Sequence, residues 1–317
     1  MVELRADPWI PSHGAGAEAS FEDDPIEVVV DPNVETRDWS VPIRPGPCDA
    51  ECLSFVDGVM RVELRVLATE GDRQAWGLLG SYAAGGVRCD GRASFAAEDE
   101  PVRRVMILGG GIAAPALEVD VGKARLCYET RSIASDAIEA HRRALQRLMI
   151  KEEQRLALRL SSDGIVFADG PLHLNGGSDA PVVGVVKRMV VGYLKGEQAR
   201  LLGRLEPGDR TPIFALGTSV LDRFAWYLRL IPRHPSWHEL AGLVRCEVRM
   251  ELGSGAAQAM ADQVTCLLPP FSGRPGLDPR APQNLTPVGA LETHLRHRMG
   301  SSTVVRRALQ SELARAR

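Results

Sequence analysis

The stretch around residue 57 constrains the fold of this 317-residue chain more than any other. An apolar run, Leu53-Ser54-Phe55-Val56, ends at Asp57-Gly58, and apolar and polar side chains alternate directly afterwards, over residues 60–66. Such alternation is typical of a β-strand with one buried face. A continuous strand would place Asp57 on its polar face. The apolar face would then carry Met60, Val62, Leu64 and Val66, and the polar face Arg61, Glu63 and Arg65.

A second apolar run ends in the same way. Residues 164–168 lead into Asp169-Gly170, so two separate strands each deliver one aspartate followed by glycine. Mg²⁺ and Mn²⁺ prefer oxygen ligands, and their sites collect carboxylates from several elements of a fold. The sequence therefore predicts a divalent metal site that contains Asp57 and Asp169.

A third acid is expected on a long helix, because the hydrophobic period changes to that of a helix over residues 132–160. Glu152 lies four residues after Leu148 and four before Leu156, in the middle of the apolar stripe, whereas Glu153 lies toward its edge. A carboxylate that faces a core is costly unless it is paired, protonated or bound to metal. Glu152 is the first choice for this acid and Glu153 the second, and pairing with a neighbouring arginine is the structural alternative.

The order of the elements predicts an α/β fold. Three strands with short connections, at 57–68, 74–89 and 103–108, indicate an antiparallel meander, and the long helix and the strand that ends at Asp169 follow it. Strand meander, helix and strand is the order of a ribonuclease-H-like core. Residues 1–50, rich in Pro, Asp and Gly with one short candidate strand at 26–30, are expected to form a loosely organised leader, and residues 51–317 one domain. The later elements are strands at 181–188, 212–215, 224–230 and 244–250 and helices at 196–205, 256–267 and 288–316.

Composition limits the function and the location of the protein. The net charge of −3 is not that of a typical nucleic-acid-binding domain, although an enzyme that encloses DNA needs only a local basic lining. The N-terminus does not read as a signal peptide, and no apolar stretch is long enough to span a membrane, so we expect a soluble cytoplasmic protein. Six cysteines are scattered at long spacings, which favours reduced thiols over a disulfide framework.

Four motifs together carry a family resemblance. Asp57-Gly58, Asp169-Gly170-Pro171-Leu172, the strand 183–188 that ends in Lys187-Arg188, and a C-terminal segment from Pro287 to His294 occur in the order seen in the NurA family of DNA nucleases. The chain resembles that family over roughly residues 50–310. The resemblance implies a nuclease domain with a ribonuclease-H-like core, a mixed sheet with additional strands, and C-terminal helices.

The resemblance also implies a set of site residues. In the NurA family a helical glutamate joins both aspartates at the metal, which corresponds here to Glu152 or Glu153. In the family, a Tyr-Pro pair begins the C-terminal helix near the metal site, and an Ala-His pair lies further along that helix. Here Thr286-Pro287 and Thr293-His294 stand at those places. His294 is thus expected to bind metal or to position water, although a single helical histidine is more often a surface or core residue. Lys187, Arg188 and Thr286 are expected to contact DNA.

The chemistry implied by the resemblance is phosphodiester hydrolysis with two metal ions held by Asp57, Glu152, Asp169 and His294. It further implies Mn²⁺ as the cofactor, with Mg²⁺ as an alternative, and 5′-to-3′ exonuclease and single-strand endonuclease activity on DNA ends in resection and repair. The expected partners are DNA, a hexameric HerA-type ATPase and a second copy of the chain in a homodimer, with no membrane.

Two other functions remain as alternatives. Residues 109–114 fit the dinucleotide-binding pattern G-x-G-x-x-A, with Glu129 as a ribose-binding acid, but Pro115 and the alternating segment 117–121 leave no helix to open on the glycines. A more serious alternative is a non-catalytic family member that acts as a DNA-binding or ATPase-adaptor subunit. The replacement of the family's tyrosine by Thr286 favours the adaptor, and the retained Asp57, Asp169 and His294 favour the nuclease.

Overall fold

The computed structural model describes residues 2–7, 28–48, 52–96, 101–173, 179–188, 192–218, 222–278 and 280–315. These ranges form an α/β fold in which eight strands precede the first α-helix and three α-helices end the chain. The strands are β1 Val2–Ala6, β2 Val29–Asp31, β3 Leu53–Glu70, β4 Arg73–Asp90, β5 Arg92–Phe95, β6 Arg103–Leu108, β7 Leu117–Val121, β8 Ala124–Ser132, β9 Ile165–Asp169, β10 Val182–Val186, β11 Phe214–Gly217, β12 Arg223–Arg229 and β13 Leu243–Arg249. The α-helices are α1 Ile138–Leu160, α2 Gly196–Leu202, α3 Ser254–Leu267, α4 Thr286–Arg298 and α5 Ser302–Arg315.

The strands form one large mixed sheet. Its order is β2-β11-β12-β13-β10-β9-β3-β4-β6-β8-β7, with β1 paired to β3 and β5 paired to β4. Strands β3, β4 and β6 are the predicted antiparallel meander, and β9 runs parallel to β3 on its other side. The predicted α/β class, with a mixed sheet, additional strands and C-terminal helices, is confirmed.

Helices cover the sheet on both faces. Helix α1 packs on one face through Leu156 and Leu160, which share a core cluster with Val56 of β3. The opposite face, which carries Phe55 and Val59, packs against α3 and α4. Because side chains alternate along a strand, Asp57 belongs to the same face as Phe55 and Val59. Strand β3 thus presents Asp57 toward the C-terminal helices.

Strand β3 is continuous, as predicted, but its alternation is not. The register with β4 shifts between Val62 and Leu64, which marks a β-bulge. Met60 and Val62 pack in a cluster with α1, whereas Leu64 and Val66 pack in a different cluster with α5. The prediction that these four residues share one face is therefore wrong, because one extra residue in a strand reverses the faces of all that follow.

The predicted helix 288–316 is interrupted. Helices α4 and α5 are separated by Met299–Ser301, where Gly300 has φ +77°, a left-handed conformation that glycine adopts without strain. Arg61 donates to the carbonyl of Gly300 at 2.9 Å, and Arg104 donates to the carbonyl of Met299 at 3.1 Å. Both arginines pair with the buried Glu63, at 2.8 and 3.6 Å. The end of α4 is thereby anchored on the sheet.

Two other helix bounds differ from the prediction. Helix α1 begins at Ile138 rather than near Ser132, because β8 continues to Ser132. Helix α2 ends at Leu202. The glycines at 109–111 are followed by β7 and not by a helix, so the structure lacks the helix that a dinucleotide-binding glycine motif requires. No helix within the described ranges has both the length and the apolar character needed to cross a membrane.

Parts of the N-terminal fifty residues join the sheet. Strand β1 pairs with β3, and β2 pairs with β11. Glu35 forms an ion pair at 2.8 Å with the buried Arg210. The strand predicted at 26–30 lies partly outside the described residues, and β2 begins at Val29. The division into a leader at 1–50 and a domain at 51–317 stays a prediction.

Cys48 and Cys266 form a disulfide with a Cα–Cα distance of 6.3 Å. The prediction that the thiols are reduced is wrong for this pair. A sequence separation of 218 residues gives no spacing signal, and the contact exists only because the segment before β3 lies against α3. Cys52, Cys89, Cys127 and Cys246 are free.

Removing the disulfide is expected to destabilise the protein. A cross-link that closes a long loop restricts the unfolded chain, and the loss of a native disulfide typically costs about 2–5 kcal/mol. Urea unfolding of Cys266→Ser without reductant should show this decrease in the free energy of unfolding. The matched control is Cys52→Ser, which removes a free, half-buried thiol. Equal stability of the wild type with and without reductant would contradict the expectation.

Candidate metal centre

Asp57 and Asp169 lie side by side where β9 ends. Strands β3 and β9 pair from Leu53–Ile165 to Val56–Ala168, so the next residue of each strand is the aspartate. Neighbouring strands lie about 4.8 Å apart, which brings the two carboxylates close together. Beyond Asp57 this edge of β3 has no partner strand within the described residues until β1 joins it at Val66. Among the described residues, this edge of β3 is therefore unpaired beside the two aspartates.

Helix α4 contributes a third carboxylate, Glu292, from the face toward which Asp57 points. One oxygen each of Asp57, Asp169 and Glu292 all lie within 4.8 Å of one another. Oxygen ligands bind Mg²⁺ at about 2.1 Å, so ligand atoms on opposite sides of one ion are about 4 Å apart. These three residues, which we call the acid group, have a spacing that one divalent ion can bridge.

The sequence analysis did not identify Glu292, although a signal was present. Glu292 directly follows Leu291 and precedes Leu295 by three residues, and both leucines pack against Gly85 of β4. A glutamate next to such a buried pair lies at the edge of the helix's apolar stripe. Glu292 is only 6% exposed, which is unusual for a glutamate.

Glu153 approaches the neighbouring Gly58 from α1, which covers the sheet face opposite to the one that carries Asp57. A side chain on Gly58 would collide with the Glu153 carboxylate, so the glycine provides the space in which Glu153 approaches β3. Burial raises the pKa of Glu153 to about 8, and the charge of Asp169 contributes. Burial also raises the pKa of Asp57 well above its usual value, with further contributions from Asp169, Glu153 and Glu292. Neighbouring carboxylates therefore disfavour the ionisation of Asp57 and of Glu153.

Glu152, the first choice from the sequence, lies elsewhere. Its Oε2 atom is 2.7 Å from the guanidinium of Arg155, and its charge acts on Tyr82, whose pKa is raised first by burial and then by Glu152. The helical stripe that passes the acid group runs through Met149 and Glu153. Leu148 and Met149 are both apolar, so two apolar stripes about 100° apart are consistent with the sequence of α1. One stripe contains Glu152 and the other Glu153, and periodicity alone does not distinguish them.

Lys187 lies against Asp169, as a site residue would. Its Nζ atom is 2.6 Å from Oδ1 of Asp169 and donates to Oδ1 of Asn284 at 3.2 Å. The pairing of β9 with β10 explains this position, because Val185 stands opposite Asp169 and Lys187 follows β10 by one residue. The Lys187 charge opposes the rise in the Asp57 pKa.

The other predicted site residues lie outside the acid group. His294 stacks on Phe95 of β5 with ring centroids 4.0 Å apart. It is two residues from Glu292, about 200° around the helix, so the two side chains point to different sides of α4. Thr286 is exposed at the start of α4, where its hydroxyl is 3.5 Å from the carbonyl of Ser272. Arg188 is exposed one residue after Lys187.

Two arginines contact Glu292. Arg280 donates from Nη1 to Oε1 at 2.6 Å, and Arg296, four residues further along α4, places Nη2 3.1 Å from Oε2. Asp278 accepts hydrogen bonds from the backbone of Arg280 and from the side-chain amide of Asn284. Burial acts to raise the Asp278 pKa, but Asn284 and Arg280 outweigh it and lower that pKa. Together with Lys187, these residues place three cations around the carboxylates.

The raised pKa values predict that the metal-free protein becomes less stable as pH rises. A glutamic acid that titrates near 4.5 when unfolded and at about 8 when folded binds its proton more tightly in the folded state. The stability from Glu153 is thus complete below pH 4.5 and is lost as pH rises through about 8. Because one pKa unit corresponds to about 1.4 kcal/mol, the loss between pH 5 and pH 8 is several kcal/mol.

Urea unfolding in the presence of a chelator, at pH 5.5 and pH 8, measures this loss. Glu153→Gln should flatten the pH dependence, since the amide has no proton to lose, and Mn²⁺ should raise the stability mainly at pH 8. A metal-free wild type as stable at pH 8 as at pH 5.5 would contradict the expectation.

No protein-family model and no curated protein sequence matches this chain. Among solved structures, the crystal structure of the NurA nuclease from Sulfolobus solfataricus matches with a TM-score of 0.51. The identity is 11%, and the match covers 87% of this chain and 88% of the other. The likeness over nearly the whole length of both chains shows that this chain has a NurA-like fold.

Proposed function

We propose that this protein is a metal-dependent DNA nuclease that hydrolyses phosphodiester bonds by a two-metal mechanism. The observation that carries the proposal is the convergence of three carboxylates, with a fourth, that of Glu153, beside the neighbouring Gly58. Asp57 comes from β3, Asp169 from β9, Glu153 from α1 and Glu292 from α4, and three of them have oxygens within 4.8 Å of one another. The likeness of the fold to that of the NurA nuclease from Sulfolobus solfataricus agrees with this chemistry.

The residues present fit a divalent ion. All four side chains offer oxygen, the donor that Mn²⁺ and Mg²⁺ prefer, and thiol or imidazole ligands are absent from the acid group among the described residues. The raised pKa values of Asp57 and Glu153 indicate that these carboxylates repel one another without a cation. We propose Mn²⁺ as the cofactor, with Asp57, Asp169 and Glu292 as its primary ligands and Glu153 beside Asp169 for a second ion.

The chain's own residues would bind and orient the substrate phosphate. Lys187, next to Asp169, would offer its ammonium to a phosphate oxygen when DNA enters the open edge of β3. The carboxylate of Glu153, held in the space above Gly58, would accept a proton or fix a bound water. When bound, divalent ions supply a lowered pKa of water and a polarised phosphate, which together favour in-line displacement.

The finer parts of the proposal come from the NurA resemblance. They are 5′-to-3′ exonuclease activity with single-strand endonuclease activity, a role in DNA end resection and repair, a homodimer, and a hexameric HerA-type ATPase as partner. The fold likeness supports them only through the shared architecture. His294 in contact with Phe95 would act beside the site rather than as a direct ligand in this arrangement.

The second function, a non-catalytic adaptor for DNA or an ATPase, is favoured by two placements. Thr286 replaces the family's tyrosine and is exposed, and His294 lies outside the acid group. An adaptor does not require a cluster of carboxylates in which two, Asp57 and Glu153, have raised pKa values, because such a cluster costs stability. The nuclease is therefore the better explanation of the structure.

Cleavage of end-labelled DNA tests the proposal. The purified chain is incubated with single- and double-stranded substrates in Mn²⁺, Mg²⁺ or chelator, next to an Asp169→Asn control with the same melting behaviour. Cleavage that needs metal and disappears in the control would support the nuclease. If the wild type binds DNA but never cleaves it, even with a HerA-type ATPase present, the adaptor replaces the nuclease.

A further inference from the structure

We infer that Arg280 and Arg296 form a phosphate-binding clamp at the edge of the acid group, and that their ligand is a backbone phosphate of a DNA strand. The inference rests on the proposed function, because a strand placed at the acid group brings its next phosphates to this edge. The two arginines come from different parts of the chain, one from the loop before α4 and one from α4 itself.

The two guanidinium groups contact the two different oxygens of one carboxylate. Arg280 approaches Oε1 of Glu292 at 2.6 Å, and Arg296 approaches Oε2 at 3.1 Å. The Glu292 side chain is only 8% exposed, whereas the side chains of Arg280 and Arg296 are 50% and 62% exposed. The carboxylate is buried beneath two cations that solvent and substrate can reach.

Most N–H donors of this pair are not used by Glu292. A guanidinium carries five N–H groups, and Arg280 donates one of them to Glu292. Among the described residues, Oε2 of Glu292 has no hydrogen-bond partner, so the contact with Arg296 is an ion pair without an aligned hydrogen bond. Guanidinium donors recognise phosphate in a planar, bidentate manner, which a second anion at this place would complete.

The charges point the same way. Arg280 also lies 3.9 Å from the carboxylate of Asp278, and Arg280 and Arg296, which share Glu292, repel each other. An anion between them would offset this repulsion. The position also fits a strand, because Glu292 has an oxygen within 4.8 Å of Asp57 and Asp169, so the clamp is one side chain away from the acid group.

The test measures DNA binding rather than cleavage. Binding of a fluorescent single-stranded oligonucleotide is titrated in chelator at several salt concentrations for the wild type, Arg280→Ala and Arg296→Ala. Each lost phosphate contact with single-stranded DNA should reduce the slope of log affinity against log salt by about 0.7. Each variant should also bind roughly 3- to 10-fold more weakly at low salt. The control is Arg307→Ala, which removes the same charge from an exposed position on α5 and should leave the slope unchanged.

Arg280→Lys and Arg296→Lys guard against misfolding, because they keep the charge and should keep most of the slope. Wild-type slopes in both alanine variants would overturn the clamp. A fall in Mn²⁺ affinity with an unchanged slope would also overturn it and would leave the arginines as positioning residues for Glu292. Reduced slopes in a protein that never cleaves DNA would support the clamp and reject the nuclease, so the two failures are distinguishable.

Discussion

Asp57→Asn is expected to abolish metal-dependent DNA cleavage and at the same time to stabilise the metal-free protein. Asp57 is one of three carboxylates with oxygens within 4.8 Å of one another, so its loss removes a ligand from the centre of the acid group. Metal ions supply several kcal/mol of transition-state stabilisation, and about 1.4 kcal/mol corresponds to tenfold in rate, so a decrease of about 10³-fold or more is expected. Cleavage of end-labelled DNA in Mn²⁺ measures it.

The gain in stability has a separate cause. The Asp57 carboxylate is buried, and its pKa is raised by burial and by three neighbouring acids. A neutral amide of the same shape removes this repulsion, so the unfolding midpoint in urea at pH 8 with chelator should rise. An inactive variant that is less stable than the wild type would indicate a structural defect instead of the loss of a ligand. Retained cleavage would reject Asp57 as a metal ligand.

Replacing each of the two adjacent glutamates of α1 by glutamine should have unequal effects on DNA cleavage. Glu153→Gln is expected to reduce cleavage by about 10²-fold or more, since Glu153 lies over Gly58 next to the aspartates. Glu152→Gln should stay within about threefold of the wild type, because the half-buried Glu152 pairs with Arg155 and lies outside the acid group. Cleavage rates of both variants under saturating Mn²⁺ give the comparison.

The pair is a matched control within a single helical turn. Both changes remove one negative charge and keep the shape of the side chain, so differences in net charge or helix propensity cannot explain unequal rates. Equal losses in the two variants would mean that α1 is placed differently from the structure described above. A larger loss for Glu152→Gln would restore the first choice made from the sequence.

Sequence patterns predicted those parts of the site that depend on local periodicity. Asp57 and Asp169 were predicted because each ends an apolar run, whereas Lys187, at the end of the strand 183–188, was named from the family resemblance. Glu152 was preferred to Glu153 because two apolar residues in succession leave the phase of a helix ambiguous. Glu292 was missed because its place at the edge of the apolar stripe of α4 does not reveal how that helix packs across the sheet.

Long-range features were also beyond the sequence. The disulfide joins Cys48 to Cys266 across most of the chain, and the bulge in β3 changes the partner layer of Leu64 and Val66 without altering the alternation that is visible in the sequence. The break at Gly300 leaves a weaker trace, since a single glycine in a helical pattern indicates a possible end but does not require one. The hydrogen bonds from Arg61 and Arg104 to the carbonyls at this break depend on tertiary packing.

The anchoring of α4 on β3 has a consequence for how the site opens and closes. Asp57 and Arg61 belong to the same strand, and Arg61 together with Arg104 holds the last carbonyls of the helix that carries Glu292. The distance between Asp57 and Glu292 is thus set within one cooperative unit of strand and helix. Amide hydrogens of β3 and α4 should exchange together and slowly, so that the two ligands are lost in one unfolding step and not by separate fluctuations of a loop.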